Sequence, residues 1–239
     1  MRNEKDAVIG EMTEKRHYTF EDLCAITKLL RGEGGCPWDR EQTHESIRRC
    51  MIEEAYEVVE AIDNRDPKLL CEELGDVLFQ VVFHAELERE TGRFRMDDVI
   101  DGICRKMIRR HPHVFGESTA KDGVDALAQW EAIKTEEKQR KTLSSRLRSI
   151  PPMLPALLRA QKVHEKIGTS SEDMTGTEQT LQGQARAFSE HPDAETMGKL
   201  LFSVTKIAAE KGLDAEGSLS KTTEKAISEA ENHDFFKKN

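Results

Sequence analysis

Residues 53–82, EEAYEVVEAIDNRDPKLLCEELGDVLFQVV, carry two short acidic clusters, Glu53-Glu54-x-x-Glu57 and Glu73-x-x-Asp76, sixteen residues apart. On a helix of about 3.6 residues per turn, a three-residue step sets two side chains about 60° apart. Each cluster therefore projects from one side of its helix, beside an apolar stripe. The stripes are Ala55, Val58, Val59 and Ile62 on the first helix, and Leu74, Val77, Leu78, Val81 and Val82 on the second. Between them Asn64-Arg65-Asp66-Pro67 is a turn sequence, able to fold the second helix back antiparallel on the first. Four or five carboxylates then converge at the rim of a helix pair, with no basic residue inside either cluster. That concentration of charge is costly without a divalent cation, and all-oxygen ligands select a hard ion such as Mg²⁺, with Mn²⁺ as a substitute. A lone E-E-x-x-E would read as a solvated face. The second cluster, on the next helix and beside Gly75, favours a metal site, while Glu60, Glu72, Glu86 and Glu88 read as surface.

Outward from this pair, helical periodicity continues and sustained strand alternation is absent, so the fold class is all-α. Residues 1–17 form a polar leader. Thr19 and Asp22 start a helix carrying Leu23, Ile26, Leu29 and Leu30. Gly32 to Asp39 reads as a loop, Thr43–Ile62 and Lys68–Glu90 as the central helices, and Asp97–Arg110 as a fourth, stopped by His111-Pro112-His113. The expected boundaries are a catalytic domain over 18–141, a linker and connecting helix over 142–172, and a second helical domain over 173–239. Three prolines within Ser144–Pro155 mark the linker, and a polar loop is expected over Gly168–Gly176.

The second domain repeats the first. Gly75-Asp76-Val77-Leu78-Phe79-x-Val81 recurs as Gly198-Lys199-Leu200-Leu201-Phe202-x-Val204, and Lys106-x-Ile108-Arg109-Arg110 aligns with Lys225-x-Ile227-Ser228-Glu229. Apolar positions survive and charges do not: Thr196 stands in place of Glu73 and Lys199 in place of Asp76. Residues 179–189 contain no acid at all. The second half reads as a degenerate helical repeat without metal ligands.

Composition narrows the function classes. A net charge of −9 argues against general nucleic-acid binding, which rests on Lys and Arg neutralising phosphates. The five cysteines form no C-x-x-C pair, which suits reduced thiols in the cytoplasm rather than disulfides or a zinc knuckle. Met1–Gly10 has no apolar core to serve as a signal peptide, and no run of about 18 apolar residues predicts a membrane span. Gly34-Gly35 lacks the P-loop pattern. Against the acidic background, Arg105, Lys106, Arg109 and Arg110 place two basic pairs on adjoining strips of one helix, suited to phosphate. Trp38 and Trp130 read as buried packing; Trp130 with Lys134 has the alternative of stacking on a base and touching a phosphate.

Taken together, Gly35-Cys36-Pro37-Trp38-Asp39-x-Glu41-Gln42-Thr43, the E-E-x-x-E cluster, Glu73-Leu74-Gly75-Asp76-Val77-Leu78-Phe79 and Arg109-Arg110-His111-Pro112-His113-Val114-Phe115-Gly116 resemble the MazG family. The resemblance runs from about residue 20 to 140, and the second half is similar to the family's tandem domain with its ligands replaced. It implies a four-helix arrangement, homo-oligomers (a homodimer or higher), and Mg²⁺-dependent hydrolysis of NTPs or dNTPs to monophosphate and pyrophosphate. By the same resemblance Glu54, Glu57, Glu73 and Asp76 match metal ligands, and Glu53 a leading acid that activates water or holds a further metal. Lys106, Arg109 and Arg110 match the substrate-binding basic segment, and Trp130 with Lys134 its downstream contacts. The alternatives are a sister pyrophosphohydrolase acting on phosphoribosyl-ATP or dUTP, or a non-catalytic helical interaction module.

Overall fold

Side chains that close their own helix ends set most of the helix starts. In the computed structural model, which describes residues 9–137, 142–168 and 174–237 (side chains of 174–179 and 233–237 excepted), helix α1 spans Phe20–Arg31. Thr19 accepts from the Asp22 amide at 3.4 Å while Asp22 accepts from the Thr19 amide at 2.7 Å, a reciprocal cap. Lys15 pairs with the same Asp22 at 2.6 Å, so the end of the leader is tied to the first helix. Residues 9–14 are themselves helical; residues 1–8 of the expected leader lie outside the described residues.

The loop that follows is shorter than expected, because Pro37 starts a second helix, α2 (Pro37–Glu41), rather than continuing the loop to Asp39. Proline suits a first helical position, where its missing N–H costs nothing. Gly35 is required here: a Cβ would collide with the Leu29 and Leu30 carbonyl oxygens. Trp38, expected to be buried, is 61% exposed.

The central pair is α3 (His44–Asn64) and α4 (Pro67–Glu90). Thr43 and Ser46 cap α3, and Arg65 ends it in a left-handed conformation, φ 55°, with its N–H directed to Ala61 and Ile62. Asp66 then accepts from the Lys68 and Leu69 amides at 2.9 and 3.0 Å and starts α4. The chain reverses in two residues, so the helices run antiparallel. His44 near the start of α3 meets Glu88 near the end of α4 at 2.6 Å, while Glu57 meets Glu73 at the turn end.

Burial departs from the expected stripes. The pair packs on Ile47, Phe83 and Leu87 with Phe79 against them, and Ala61 and Val82 are also buried. Val59, Ile62, Leu74 and Leu78 instead stay 40–55% exposed. Each helix carries more than one apolar face, and periodicity does not say which one the chain covers. Glu86 and Glu88, expected on the surface, are buried at 7% and 8% exposure and paired with Arg89 and Arg93. Arg31 is buried too. It grips Glu90 through two 2.8 Å bonds, donates to the Asp39 and Gln42 carbonyls, and lies 5.1 Å over the Phe83 ring. One guanidinium thus joins α1, α2 and α4.

Helix α5 (Met96–Arg110) and the short α6 (Pro112–Phe115) complete the first unit, with the expected stop at His111-Pro112. The chain divides into two units after Ala126, inside α7 (Gly123–Glu137). That division precedes the boundary expected at 141, because the later part of α7 joins the second unit, where Lys166 lies 3.8 Å from Glu131.

The second unit continues with α8 (Leu143–Leu147), α9 (Ala156–Ile167), α10 (Met174–Glu190), α11 (Ala194–Lys211) and α12 (Ala215–Lys237). The expected linker is thus partly helical, and it buries Ile150. Part of the polar loop expected over Gly168–Gly176 lies outside the described residues, and α10 has begun by Met174. His164 packs on Phe202 and bonds its carbonyl at 3.0 Å. Gln161 clamps the turn before α12, donating to the Leu213 carbonyl and accepting from the Ala215 amide. No helix among the described residues is long and apolar enough to cross a membrane.

Candidate active site

The antiparallel α3–α4 pair brings the two acidic clusters together near its turn. Ligand oxygens of Glu54, Glu57 and Glu73 all lie within 4.8 Å of one another. Glu73 is buried, Glu54 half-buried and Glu57 exposed, which opens the cluster on one side. The carboxyls of Glu54 and Glu73 are both pushed above their ordinary range. Loss of water is the first cause, followed by the hydrogen bond and charge of Glu57 and the charge of Asp76. Asp76 therefore faces the cluster electrostatically, although its oxygens fall outside the tight group of three. Repulsion among partly desolvated carboxylates is relieved by a divalent cation, so these residues fit a hard metal ion. Glu53, about 100° around the helix from Glu54, turns away and pairs with Arg49 at 2.7 Å.

The basic segment lies on α5. Arg110 is buried, Lys106 half-buried and Arg109 exposed. Arg105 is held by Asp101 at 2.6 Å, and Arg109 and Arg110 also engage other groups of the protein. Trp130 and Lys134 belong to the second unit, where they form a pair of their own. The Lys134 ammonium lies 4.2 Å from the Trp130 ring centre and 2.8 Å from Glu131.

In the second unit the positions that align with the acidic pair are occupied differently. Thr196 serves the N-terminus of α11, bonded to Asp193 at 3.0 Å, and Lys199 pairs with Glu195. Among the described residues the only acidic group of metal-binding geometry is Glu54, Glu57 and Glu73.

Sequence reading missed a polar network at the other end of the α3–α4 pair. His44 and His84 stack with rings 5° from parallel, their Nδ1 atoms 2.8 Å apart. Glu88 takes the far nitrogen of His44 and also pairs with Arg93. Burial and the neighbouring imidazole hold the His84 pKa below its ordinary value. The signal was available: once the helices are antiparallel about the Arg65 turn, residue 44 must fall beside 84 and 88.

The MazG nucleotide pyrophosphohydrolase domain matches residues 42–115, which hold the whole α3–α4 pair and α5. The chain is 42% identical over 215 residues to the nucleoside triphosphate pyrophosphohydrolase/pyrophosphatase MazG of Thermotoga maritima, covering 87% of this chain and 82% of that protein. It is 41% identical over 219 residues to the nucleoside triphosphate pyrophosphohydrolase of Escherichia coli K12, covering 86% and 83%. Over 162 residues it is 43% identical to the protein of that name in Mycobacterium tuberculosis, spanning 48% of that longer chain. The chain belongs to the MazG nucleotide pyrophosphohydrolase family.

Proposed function

We propose that this protein hydrolyses nucleoside triphosphates, NTP or dNTP, to the monophosphate and pyrophosphate in the presence of Mg²⁺. The observation that carries this reading is the Glu54–Glu57–Glu73 cluster, with the charge of Asp76 beside it, in a chain of this family. Glu54, Glu57, Glu73 and Asp76 would hold the metal, and Glu53 stands next to them as a further acid. When bound, Mg²⁺ neutralises phosphate oxygens and acidifies water. Lys106, Arg109 and Arg110 would bind the triphosphate, since arginine meets phosphate oxygens with two parallel hydrogen bonds. Trp130 and Lys134 would contact the nucleotide.

The domain reading is a catalytic first part and a degenerate, metal-free repeat in the second. We also assign a homo-oligomer. Ile52, Tyr56, Val59 and Ile62 recur at helical spacing along α3 and are 46–55% exposed, beside Leu74 and Leu78 on α4. Such a continuous apolar face on an otherwise charged helix pair suits burial against a second copy. The five cysteines are all free thiols, which fits a reducing cytoplasm.

A panel of NTPs and dNTPs with added Mg²⁺, read by phosphorus NMR, tests the reaction. Monophosphate with pyrophosphate is expected. Diphosphate with orthophosphate would place cleavage at the wrong bond, and no turnover of any nucleotide would leave a binding module.

A further inference from the structure

The second unit holds a polar cavity of about 520 Å³ between α7, α8 and α9, whose lining shares only Lys134 with the proposed nucleotide contacts. Three cations line it: Lys134, Arg146 and Lys166. Two of them converge on one carboxylate. Lys134 meets one oxygen of Glu131 at 2.8 Å, and Lys166 lies 3.8 Å from the other. Arg146 is half-buried in the same wall and has no ion pair among the described residues. The remaining acid, Glu165, is exposed. Ser149 adds a hydroxyl, whose oxygen now lies 2.6 Å from the Arg146 carbonyl. Even partial burial of an arginine without a counter-charge is costly, and Glu131, which already engages both lysines, does not reach it.

A ligand with several anionic oxygens on a short chain would meet all three at once. A single carboxylate or chloride spans too little, and a nucleic acid would meet the negative charge of the molecule as a whole. We infer that this cavity binds a phosphate-chain anion, with inorganic pyrophosphate as the member that the proposed reaction itself releases. Only the choice of pyrophosphate rests on that reaction; the basic lining stands without it. Glu131 holds the lysines in place until the anion enters and takes them over. Arg146 supplies the bidentate contact, which lysine cannot replace.

The geometry provides its own reporter, because Lys134 sits 4.2 Å over the Trp130 ring. In Trp38→Phe protein Trp130 is the sole tryptophan, and anion binding that draws Lys134 off the ring changes its emission. Pyrophosphate, tripolyphosphate and orthophosphate are titrated into this protein with EDTA present, and calorimetry is run in parallel. Saturable binding of the two longer anions is expected, weakened about tenfold or more in Arg146→Met and Lys166→Met. Orthophosphate should bind more weakly. Absence of heat and of emission change up to about 10 mM, or unchanged affinity in both variants, overturns the inference. Because the metal is chelated and no turnover is read, this result is separate from that of the nucleotide panel. Pyrophosphate binding with no nucleotide hydrolysis would sink the proposed reaction and keep the site.

Discussion

At the scale of single residues, Glu73 shows how a site can oppose stability. Its buried carboxyl is held above the ordinary range by desolvation and by the charges of Glu57 and Asp76. Glu73→Gln removes that repulsion, so the metal-free variant should have a higher urea midpoint at pH 7 than the wild type while losing stabilisation by Mg²⁺. A lower midpoint would mean that the carboxylate is structurally satisfied without metal. Gly75 lies between the second pair of acids, inside a helix, with open space where a Cβ would point. Nothing within the chain needs that glycine, so Gly75→Ala should stabilise the helix by about 0.5–1 kcal/mol. If a substrate or second copy approaches there, the same variant should turn over more slowly. Full activity in the stabilised variant would remove the glycine from the site. The acids themselves were legible from spacing alone, because an i, i+3 step on two antiparallel helices leaves little freedom. The burial of Glu86 and Glu88 was not, since an acidic residue reads as surface until its partner is known, here Arg89 on the same helix and Arg93 just past its end.

At the scale of elements, sequence located the longer helices between Phe20 and Arg110 well and their faces poorly, and it did not mark the helix at Gly123–Glu137. Caps at Thr19, Thr43 and Asp66 name their own helix starts, and the Arg65 turn dictates the antiparallel pair. Ala61, Phe83 and Leu87 are buried where Val59, Leu74 and Leu78 are not, because a helix with two apolar faces gives period but not direction. Arg31 secures α1 to α2 and α4, and lysine cannot reproduce its paired bonds to Glu90 together with two carbonyls. Arg31→Lys should therefore cost roughly 2 kcal/mol in denaturant unfolding. A loss within experimental error would show the latch to be ornamental. The His44–His84 pair couples α3 and α4 to pH. The folded pKa of His84 lies below its ordinary 6.5, so the unfolded chain binds the proton more readily. This group's contribution to stability falls as pH drops through about 6.5. Glu54 and Glu73, with raised values, pull the opposite way at lower pH. Comparison of wild type with His84→Asn isolates the term: the midpoint lost between pH 7.5 and pH 5.5 should shrink in the variant. An unchanged difference would leave the imidazole pair without influence.

At the scale of the whole molecule, the proposal is of one helical plan that occurs twice with different chemistry. The acids of the first copy give way to Thr196 and Lys199, which are taken up by a helix cap and an ion pair. A charged lysine has no lone pair to offer a metal. The exposed stripe through Tyr56 and Val59 belongs to assembly on this account, so Val59→Glu should shift the protein to a smaller species in light scattering. An unchanged mass would send the partner surface elsewhere. The proposed repetition rests on apolar positions that persist between the halves, whereas the partition inside α7 left no trace in the sequence: a continuous helix carries no mark where its packing partners change. The central claim is that turnover belongs to the carboxylates of the first copy. Its most direct test is Mg²⁺-dependent pyrophosphate release by Glu57→Gln beside wild type, with helicity checked in both. The account predicts a loss of more than about a hundredfold; near-normal release from Glu57→Gln would contradict it.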